Sequence, residues 1–383
     1  MDKDRWIFCR SGVVLRGVAL SCAAGARPRA PSYSGRAFMS QTISHAWVLK
    51  RRPAGRITRD DYDWVEMPLA APQAGEVLVR TVYLSLDPTN RIWASDMAQY
   101  MPPVELGDVM RGGTLGLVEA SGDDNFAVGD VVQGFWGWRS HALQPGMALN
   151  KLPAQAGVPW DAYMSVLGAT GMTAYFGLMD IGAPKAGETL VVSAAAGAVG
   201  SLVGQIGKIM GCRVIGTAGS DDKCAHLIND LGFDAAINYK TADLEAALDE
   251  AAPNGIDIYF ENTGGPVTDA VYPRLNLNAR IPLCGLIAHY NDEETGEGTP
   301  GPKNFQMALM RRALIKGFIV TDYMSRFPEG IAAMAGWLAE GKLTYRTDVV
   351  DGLENAVESV NRLFDGANTG KLLVRCSEEP ATP

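Results

Sequence analysis

Small residues crowd one turn of this sequence. Ala195-Ala-Gly197-Ala198-Val199-Gly200 follows an apolar, β-rich run from Thr189 and opens an amphipathic helical pattern that reaches Lys208. A strand–turn–helix of this kind brings backbone N–H groups and the positive end of a helix dipole up to an anion, and a pyrophosphate suits it. It reads as the opening of a dinucleotide-binding unit, with alanine replacing the first glycine of G-x-G-x-x-G. Alone, the stretch could also be a tightly packed helix–strand corner. Five further β/α units around it decide for the dinucleotide.

The second strand of the unit ends Ile215-Gly-Thr-Ala-Gly-Ser220. It lacks the Asp or Glu that holds the ribose 2′-hydroxyl in NAD enzymes. Ser220 and Lys223 follow in the first turn of the next helix, a hydroxyl and an ammonium suited to a 2′-phosphate. The plainer alternative is an N-cap serine and a solvated lysine, with Asp221 and Asp222 as helix-start acids. The missing acid favours NADPH over NADH.

Holding these groups requires a parallel sheet. Strands at 189–193, 213–217, 235–238, 256–261, 279–284 and 316–319 alternate with helices at 198–210, 221–231, 241–251 and 266–275, and a helix at 328–341 closes the set. Such alternation implies an α/β fold with a sheet wound on both faces. Before it, from Ala46 to about Asn150, the pattern is short and alternating. Glu76–Leu86, Thr114–Ser121 and Val128–Phe135 read as strands of a compact antiparallel β domain. Helical patterning runs from Tyr163 to Ile181. The tail, Thr344 to Arg375, returns to strand–helix–strand and is expected to rejoin the β domain. Residues 39–165 with 345–383 are thus expected to form the β domain, and 166–344 the dinucleotide-binding domain. The Gly/Pro-rich, acidic stretch His289–Asn304 is expected to be a loop covering the site.

Composition narrows the function classes. The chain has 383 residues, 47% hydrophobic, with 43 glycines and a formal net charge of −9. An acidic chain with no apolar run near the roughly 20 residues of a membrane helix points away from nucleic acid and membrane partners. Six cysteines without a CxxC pair read as reduced thiols of a cytoplasmic protein. The first 38 residues differ, with seven cations against two carboxylates, a charge of +5. They resemble a transit or signal segment only loosely. Met39-Ser-Gln-Thr reads as a natural beginning, so residues 1–38 are expected to be a poorly ordered extension or a mis-assigned start. Metal chemistry finds no ligand set: the four histidines (45, 141, 226, 289) do not pair with Cys or Glu at ligand spacing.

Several motifs occur in order: Tyr83-Leu-Ser-Leu-Asp-Pro-Thr-Asn-Arg91, Arg111-Gly-Gly113, Gly171-Met-Thr-Ala-Tyr-Phe-Gly177, Ala236-Ile-Asn-Tyr-Lys240, Tyr259-Phe-Glu-Asn-Thr-Gly-Gly265 and Cys284-Gly-Leu-Ile-Ala-His-Tyr-Asn291. From Ser44 to Arg375 the chain resembles the zinc-free medium-chain dehydrogenases/reductases, the group of prostaglandin reductases, plant double-bond reductases and bacterial curcumin-reductase-like enzymes. The resemblance implies a GroES-like β domain joined to a Rossmann domain, and NADPH-dependent reduction of α,β-unsaturated carbonyls. Zinc-dependent relatives carry Gly-His-Glu in the β domain, where Met110-Arg-Gly-Gly-Thr-Leu-Gly116 offers no ligand.

Carried onto this sequence, the resemblance assigns Gly197, Ala198, Val199 and Gly200 to the pyrophosphate, and Ser220, Lys223 and Tyr239 to the 2′-phosphate end. Asn262, Cys284, Gly285, Tyr290, Phe318, Ile319, Val320 and Asn368 would line the rest of the cofactor. Tyr290 would bond the substrate oxygen, with Tyr83, Phe135 and Trp136 beside the substrate. From residue types alone those three aromatics are as compatible with core packing. Asp87 and Arg91 are expected to form an ion pair that fixes the pocket loop. His289 departs from the Gln usual before the tyrosine. A homodimer through the strand near Phe318–Val320 is expected by the same resemblance.

The implied reaction sends hydride to the β-carbon of an enone or enal while Tyr290 stabilises the developing enolate, and the α-carbon takes its proton from solvent. Three alternatives remain open at this level: a quinone reductase, an acyl-CoA enoyl reductase (which the acidic 289–304 stretch disfavours) and a non-catalytic NADPH-binding protein.

Overall fold

The computed structural model describes residues 41–380 apart from 98, 154–157 and 293–300. The expectations for residues 1–38 and for the centre of the 289–304 loop lie outside the described residues.

Among the described residues, fifteen strands form three sheets. β1 (Thr42–Leu49) and β2 (Tyr62–Leu69) pair as an antiparallel ribbon. The second sheet draws on β3 (Glu76–Ser85), β4 (Thr114–Ser121), β5 (Val131–Gly134), β6 (His141–Pro145) and β7 (Asn150–Lys151). The third contains β8 (Thr189–Val192), β9 (Arg213–Ala218), β10 (Ala235–Asn238), β11 (Ile256–Phe260), β12 (Leu275–Leu283) and β13 (Leu314–Gly317). Near the C-terminus, β14 (Thr347–Asp351) and β15 (Lys371–Arg375) return to the second sheet, whose order is β14-β15-β3-β4-β5-β7 with β6 also on β3. The tail therefore does rejoin the β domain, through antiparallel pairing of β15 with β3.

The six-stranded sheet is parallel throughout, in the order β10-β9-β8-β11-β12-β13. Chain order reverses between β8 and β11, which is the Rossmann arrangement. Alternate residues of its strands feed two separate cores. Leu190, Val192, Val214, Ile258 and Phe260 pack with Leu202, Val203 and Ile206 of the helix Ala198–Ile209. Val191, Ile215, Ile237 and Tyr259 pack on the other side with Leu248 and Val271. Burial on both faces is why these strands read as continuous apolar runs rather than alternating ones.

Several elements differ from their sequence reading. The helical pattern of Tyr163–Ile181 breaks where Ser165 leaves helical geometry (φ −130°, ψ −99°); the helix proper is Ala169–Phe176, widening to a π turn over Gly177–Gly182. A strand expected from Val128 begins at Val131, because Gly129 adopts φ +90° in a turn. The helix expected over 266–275 ends at Val271 and tightens to a 3-10 turn, since Pro273 has no N–H to continue the ladder. The last strand lies two residues early, at 314–317.

One buried cation ties the C-terminal strand to the β domain. Lys371 is 2% exposed, and its Nζ donates to the Leu86 carbonyl at 2.7 Å and to Asp87 Oδ1 at 2.9 Å. The ion-pair partner of Asp87 is thus Lys371 rather than the expected Arg91. Arg91, itself buried, donates to the carbonyls of Pro53 (3.1 Å) and Gly55 (2.5 Å). Replacing Lys371 with methionine should leave Asp87 without its cation and the Leu86 carbonyl without this donor. We expect a loss of about 3 kcal/mol of stability, read as a lower denaturation midpoint, with Lys371→Arg intermediate.

Candidate active site

The C-terminal ends of β8, β9, β11 and β12 open onto one crevice. After β8 the chain turns through Ser193–Ala196, where Ala194 holds a left-handed conformation (φ +48°). Gly197 then caps the helix Ala198–Ile209 with backbone alone. Among the described residues no side chain occupies the first-turn N–H groups of Ala198, Val199 and Gly200, the arrangement an anion requires. Gly200 is needed for packing: a Cβ there would sit 2.4 Å from the Ala194 carbonyl oxygen.

A strap from the β domain crosses this turn. Gly370 N–H donates to the Ala196 carbonyl at 3.4 Å, and Gly370 forms a parallel bridge with Gly197. Asn368 is buried here, its Nδ2 donating to the Gly370 carbonyl at 2.8 Å. The phosphate turn, Lys223 and Asn368 are therefore brought together, for Lys223 Nζ donates to the Gly366 carbonyl of the same strap at 2.7 Å.

Lys223 is not a free surface lysine. Burial lowers its pKa, and the nearby Lys240 ammonium lowers it further. Ser220 caps the helix Asp221–Asn229, its Oγ accepting the Lys223 N–H at 3.3 Å, so the N-cap reading of Ser220 holds while that of a solvated lysine does not. Tyr239 and Lys240 flank Gly219: a Cβ at 219 would lie 3.3 Å from Tyr239 Oη and 3.2 Å from Lys240 Cε. Two lysines whose charges oppose one another, beside an uncapped helix start, fit the 2′-phosphate and pyrophosphate of NADPH. Lys240, within a motif read for its tyrosine, was missed by the sequence reading.

At the other end of the crevice, Cys284, Gly285, Tyr290, Phe318 and Ile319 bound a hollow of about 380 Å³. Val320 follows at the start of a 3-10 turn, and Phe318 sets its ring edge-on to Phe260 at 6.4 Å. Asn262, just past β11, is anchored: its Nδ2 donates to the Ser193 carbonyl at 2.7 Å and its N–H to Ser193 Oγ at 2.8 Å. Burial pushes the Cys284 thiol up to about 12, with the Glu261 charge adding to the effect.

Tyr290 caps the short 3-10 segment Ile287–His289 that follows β12. Its Oη accepts the Leu286 N–H at 3.0 Å, which leaves the phenolic O–H to donate elsewhere. Burial raises its pKa above the ordinary 10.0; the Leu286 hydrogen bond opposes this, and the neighbouring Cys284, Tyr100 and Glu261 reinforce it. His289 bonds Asp292 through Nδ1 at 3.0 Å and lays its ring over Gly264.

The three expected substrate aromatics separate. Phe135 is half exposed, edge-on to Trp93 at 5.3 Å. Trp136 is 2% exposed within the β-domain core, its Nε1 donating to Thr81 Oγ1 at 2.8 Å, so it packs behind the surface and is not a pocket wall. Tyr83 is also buried, and its hydroxyl is taken by Glu379 Oε1 at 2.7 Å. None of the three bounds the hollow at Tyr290. A wall the sequence did not disclose adjoins Phe135 instead. Arg111 lies over the Trp93 ring at 5.7 Å, and Trp93 Nε1 donates to Tyr100 Oη at 2.9 Å. The Tyr100 phenol acts electrostatically on both Tyr290 and Arg111. Only Arg111 of this group fell within a motif.

Comparison with known proteins agrees with this geometry. Residues 45–152 match the family described as the N-terminal domain of oxidoreductase, and residues 198–336 the family described as zinc-binding dehydrogenase. The second description has no counterpart in a ligand set, for among the described residues no group of three or more His, Cys, Asp or Glu could hold a metal ion. The NADPH-dependent curcumin reductase of Escherichia coli is 46% identical over 335 residues, covering 86% of this chain and 96% of its own. The NADP(+)-dependent 2-alkenal reductase of Nicotiana tabacum is 40% identical, covering 89% of this chain and 100% of its own. CurA from Vibrio vulnificus, solved in complex with NADPH, superposes with a TM-score of 0.82 at 45% identity, covering 88% of this chain and 100% of its own. With an N-terminal GroES-like domain, a six-stranded Rossmann sheet and this identity, the chain belongs to the medium-chain dehydrogenase/reductase family of oxidoreductases.

Proposed function

We propose that this protein reduces the carbon–carbon double bond of α,β-unsaturated ketones and aldehydes with NADPH. The observation that carries the reading is the Tyr290 phenol. Its oxygen is fixed by the Leu286 N–H, and among the described residues no group accepts its proton, at the strand ends where a Rossmann sheet binds its nucleotide. NADPH, when bound, supplies the hydride that goes to the β-carbon of the substrate.

The residues of the chain divide the remaining work. The first turn of Ala198–Ile209 takes the pyrophosphate, while Lys223, Ser220, Tyr239 and Lys240 take the 2′-phosphate. Asn262, anchored on Ser193, and the Cys284–Gly285 backbone form the floor, with Phe318–Val320 as its far side. Tyr290 donates its O–H to the substrate carbonyl oxygen, on which negative charge develops as the β-carbon gains hydrogen. Because burial keeps that phenol protonated, Tyr290 donates across the neutral pH range. The α-carbon is left open to protonation by water. Tyr100 and Phe135, both exposed and backed by the buried Trp93, offer apolar surface to the rest of the substrate.

Two coarser properties extend the reading. β13 is the edge of the six-stranded sheet, with Leu314 exposed on it and Leu309 and Met310 exposed on the preceding helix. That edge supports pairing with a second copy as a homodimer. The cysteines among the described residues are all free, which goes with a cytoplasmic site of action. Among those residues no helix is long and apolar enough to cross a membrane.

Turnover of a medium-chain 2-alkenal with NADPH, with product analysis, tests the function directly. Saturated aldehyde is the expected product, whereas allylic alcohol would mark a carbonyl reductase. Tyr290→Phe should lower kcat about 100-fold while changing the Kd for NADPH less than about threefold; equal losses in both would remove Tyr290 from the chemistry. A kcat–pH profile should show no alkaline fall from Tyr290 below pH 10.0, the ordinary phenol value that its burial raises. For Lys223→Ala, titration should find NADPH weakened about 10- to 100-fold, the worth of one or two charge-assisted hydrogen bonds, and NADH unchanged.

A further inference from the structure

We propose that the Glu261 carboxylate places a negative charge beneath the nicotinamide end of the crevice and so favours the oxidised, positively charged form of the cofactor over the reduced one. The inference rests on the reading that NADPH binds at these strand ends.

Two carboxylates of the described chain are buried to 2% exposure, Asp61 and Glu261. Asp61 has a cation, Arg51, at 2.7 Å. Glu261 has none: among the described residues no Lys, Arg or His forms an ion pair with it. Its partners are neutral donors. Oε1 accepts from Ser193 Oγ at 3.1 Å and from the N–H groups of Thr263 and Gly264 at 2.7 and 3.0 Å. Oε2 accepts from Thr268 Oγ1, which Tyr259 Oη backs at 3.1 Å. A buried carboxylate without a counter-ion is expensive to hold, and neutral dipoles offset that cost without cancelling the charge.

The charge sits at the junction of three strand ends. Glu261 follows β11 directly, and its backbone carbonyl accepts the N–H groups of Cys284 and Gly285 at 2.9 and 3.1 Å, just past β12. Its side chain holds Ser193, past β8, on which Asn262 is anchored. The field extends to the site: it helps to raise the Cys284 thiol and the Tyr290 phenol, secondary to burial in both.

The consequence concerns charge balance. Loss of hydride removes one hydrogen nucleus and two electrons from the dihydronicotinamide and leaves that ring with one positive charge. On the substrate, the β-carbon gains the C–H bond and the carbonyl oxygen the negative charge. A fixed anion on the nicotinamide side stabilises the ring that has given up hydride relative to the neutral ring that has not.

The test compares binding of NADP+ and NADPH, each titrated into the full chain by calorimetry. Glu261→Gln should weaken NADP+ about tenfold more than NADPH, which corresponds to a bound-couple shift of about 30 mV. Glu261→Asp keeps the charge and should keep the wild-type ratio within about threefold. Thr268→Val also keeps the charge while removing one donor, and it should not reduce the preference for NADP+. It serves as the probe if Glu261→Gln fails to melt cooperatively. A purely structural role would weaken both nucleotides by one factor, and that result overturns the proposal, as does loss of NADP+ preference in Thr268→Val. If neither nucleotide binds the unchanged protein, the cofactor reading itself falls, and the proposal with it.

Discussion

The crevice exists because chain order reverses between β8 and β11. Adjacent parallel strands normally send their connections over the same edge, closing the sheet end; where the order reverses, the connections diverge and leave a gap. Ser193, Asn262 and the Cys284–Gly285 backbone lie at this gap, and hydrogen bonds from Asn262 to Ser193 and from Cys284 and Gly285 to the Glu261 carbonyl hold its mouth at a set width. The sites described here fall at or beside that gap. Move the reversal one strand over, and the uncapped helix start and the phenol would no longer face a common ligand.

The β domain contributes more than a wall. Its C-terminal strand β15 is preceded by the strap that meets the phosphate turn, and β15 is fixed in its own sheet by Lys371. One buried ammonium therefore helps decide where Gly366 and Asn368 meet the Rossmann half. This gives the chain's return to its first domain a physical purpose: the end of the crevice proposed for the adenosine is built from both halves. Arg91 serves the opposite end in a similar way. It fixes the backbone of Pro53–Gly55, and Gly55 approaches the Asn291 carbonyl beside Tyr290.

Much of this was readable from residue order, and the reasons differ by element. The parallel strands were legible because burial on both faces makes them unbroken apolar runs, and the phosphate turn because only small residues permit its geometry. Lys223 was legible through the absence of an acid, a local signal. Trp136 was misplaced because residue type alone does not say which way an aromatic just past a strand faces. Its burial is set by Val77, Val79 and Val132 on neighbouring strands. The Asp87 partner was missed for a related reason, since Lys371 lies 284 residues away and no spacing rule reaches that far. Tyr100 carried no pattern; tertiary packing alone brings it near Tyr290.

The left-handed alanine in the phosphate turn has a consequence for cofactor capture. A glycine at 194 would take φ +48° freely, and would equally take many other values in the unfolded chain and in an empty site. Alanine makes that conformation harder to reach, by about 1 kcal/mol, but once packing has enforced it the turn has fewer alternatives left. The arriving pyrophosphate then meets amides that are already aligned, and little of its binding energy is lost to ordering them. In entropic terms the cost of shaping this turn falls on folding, before any ligand arrives.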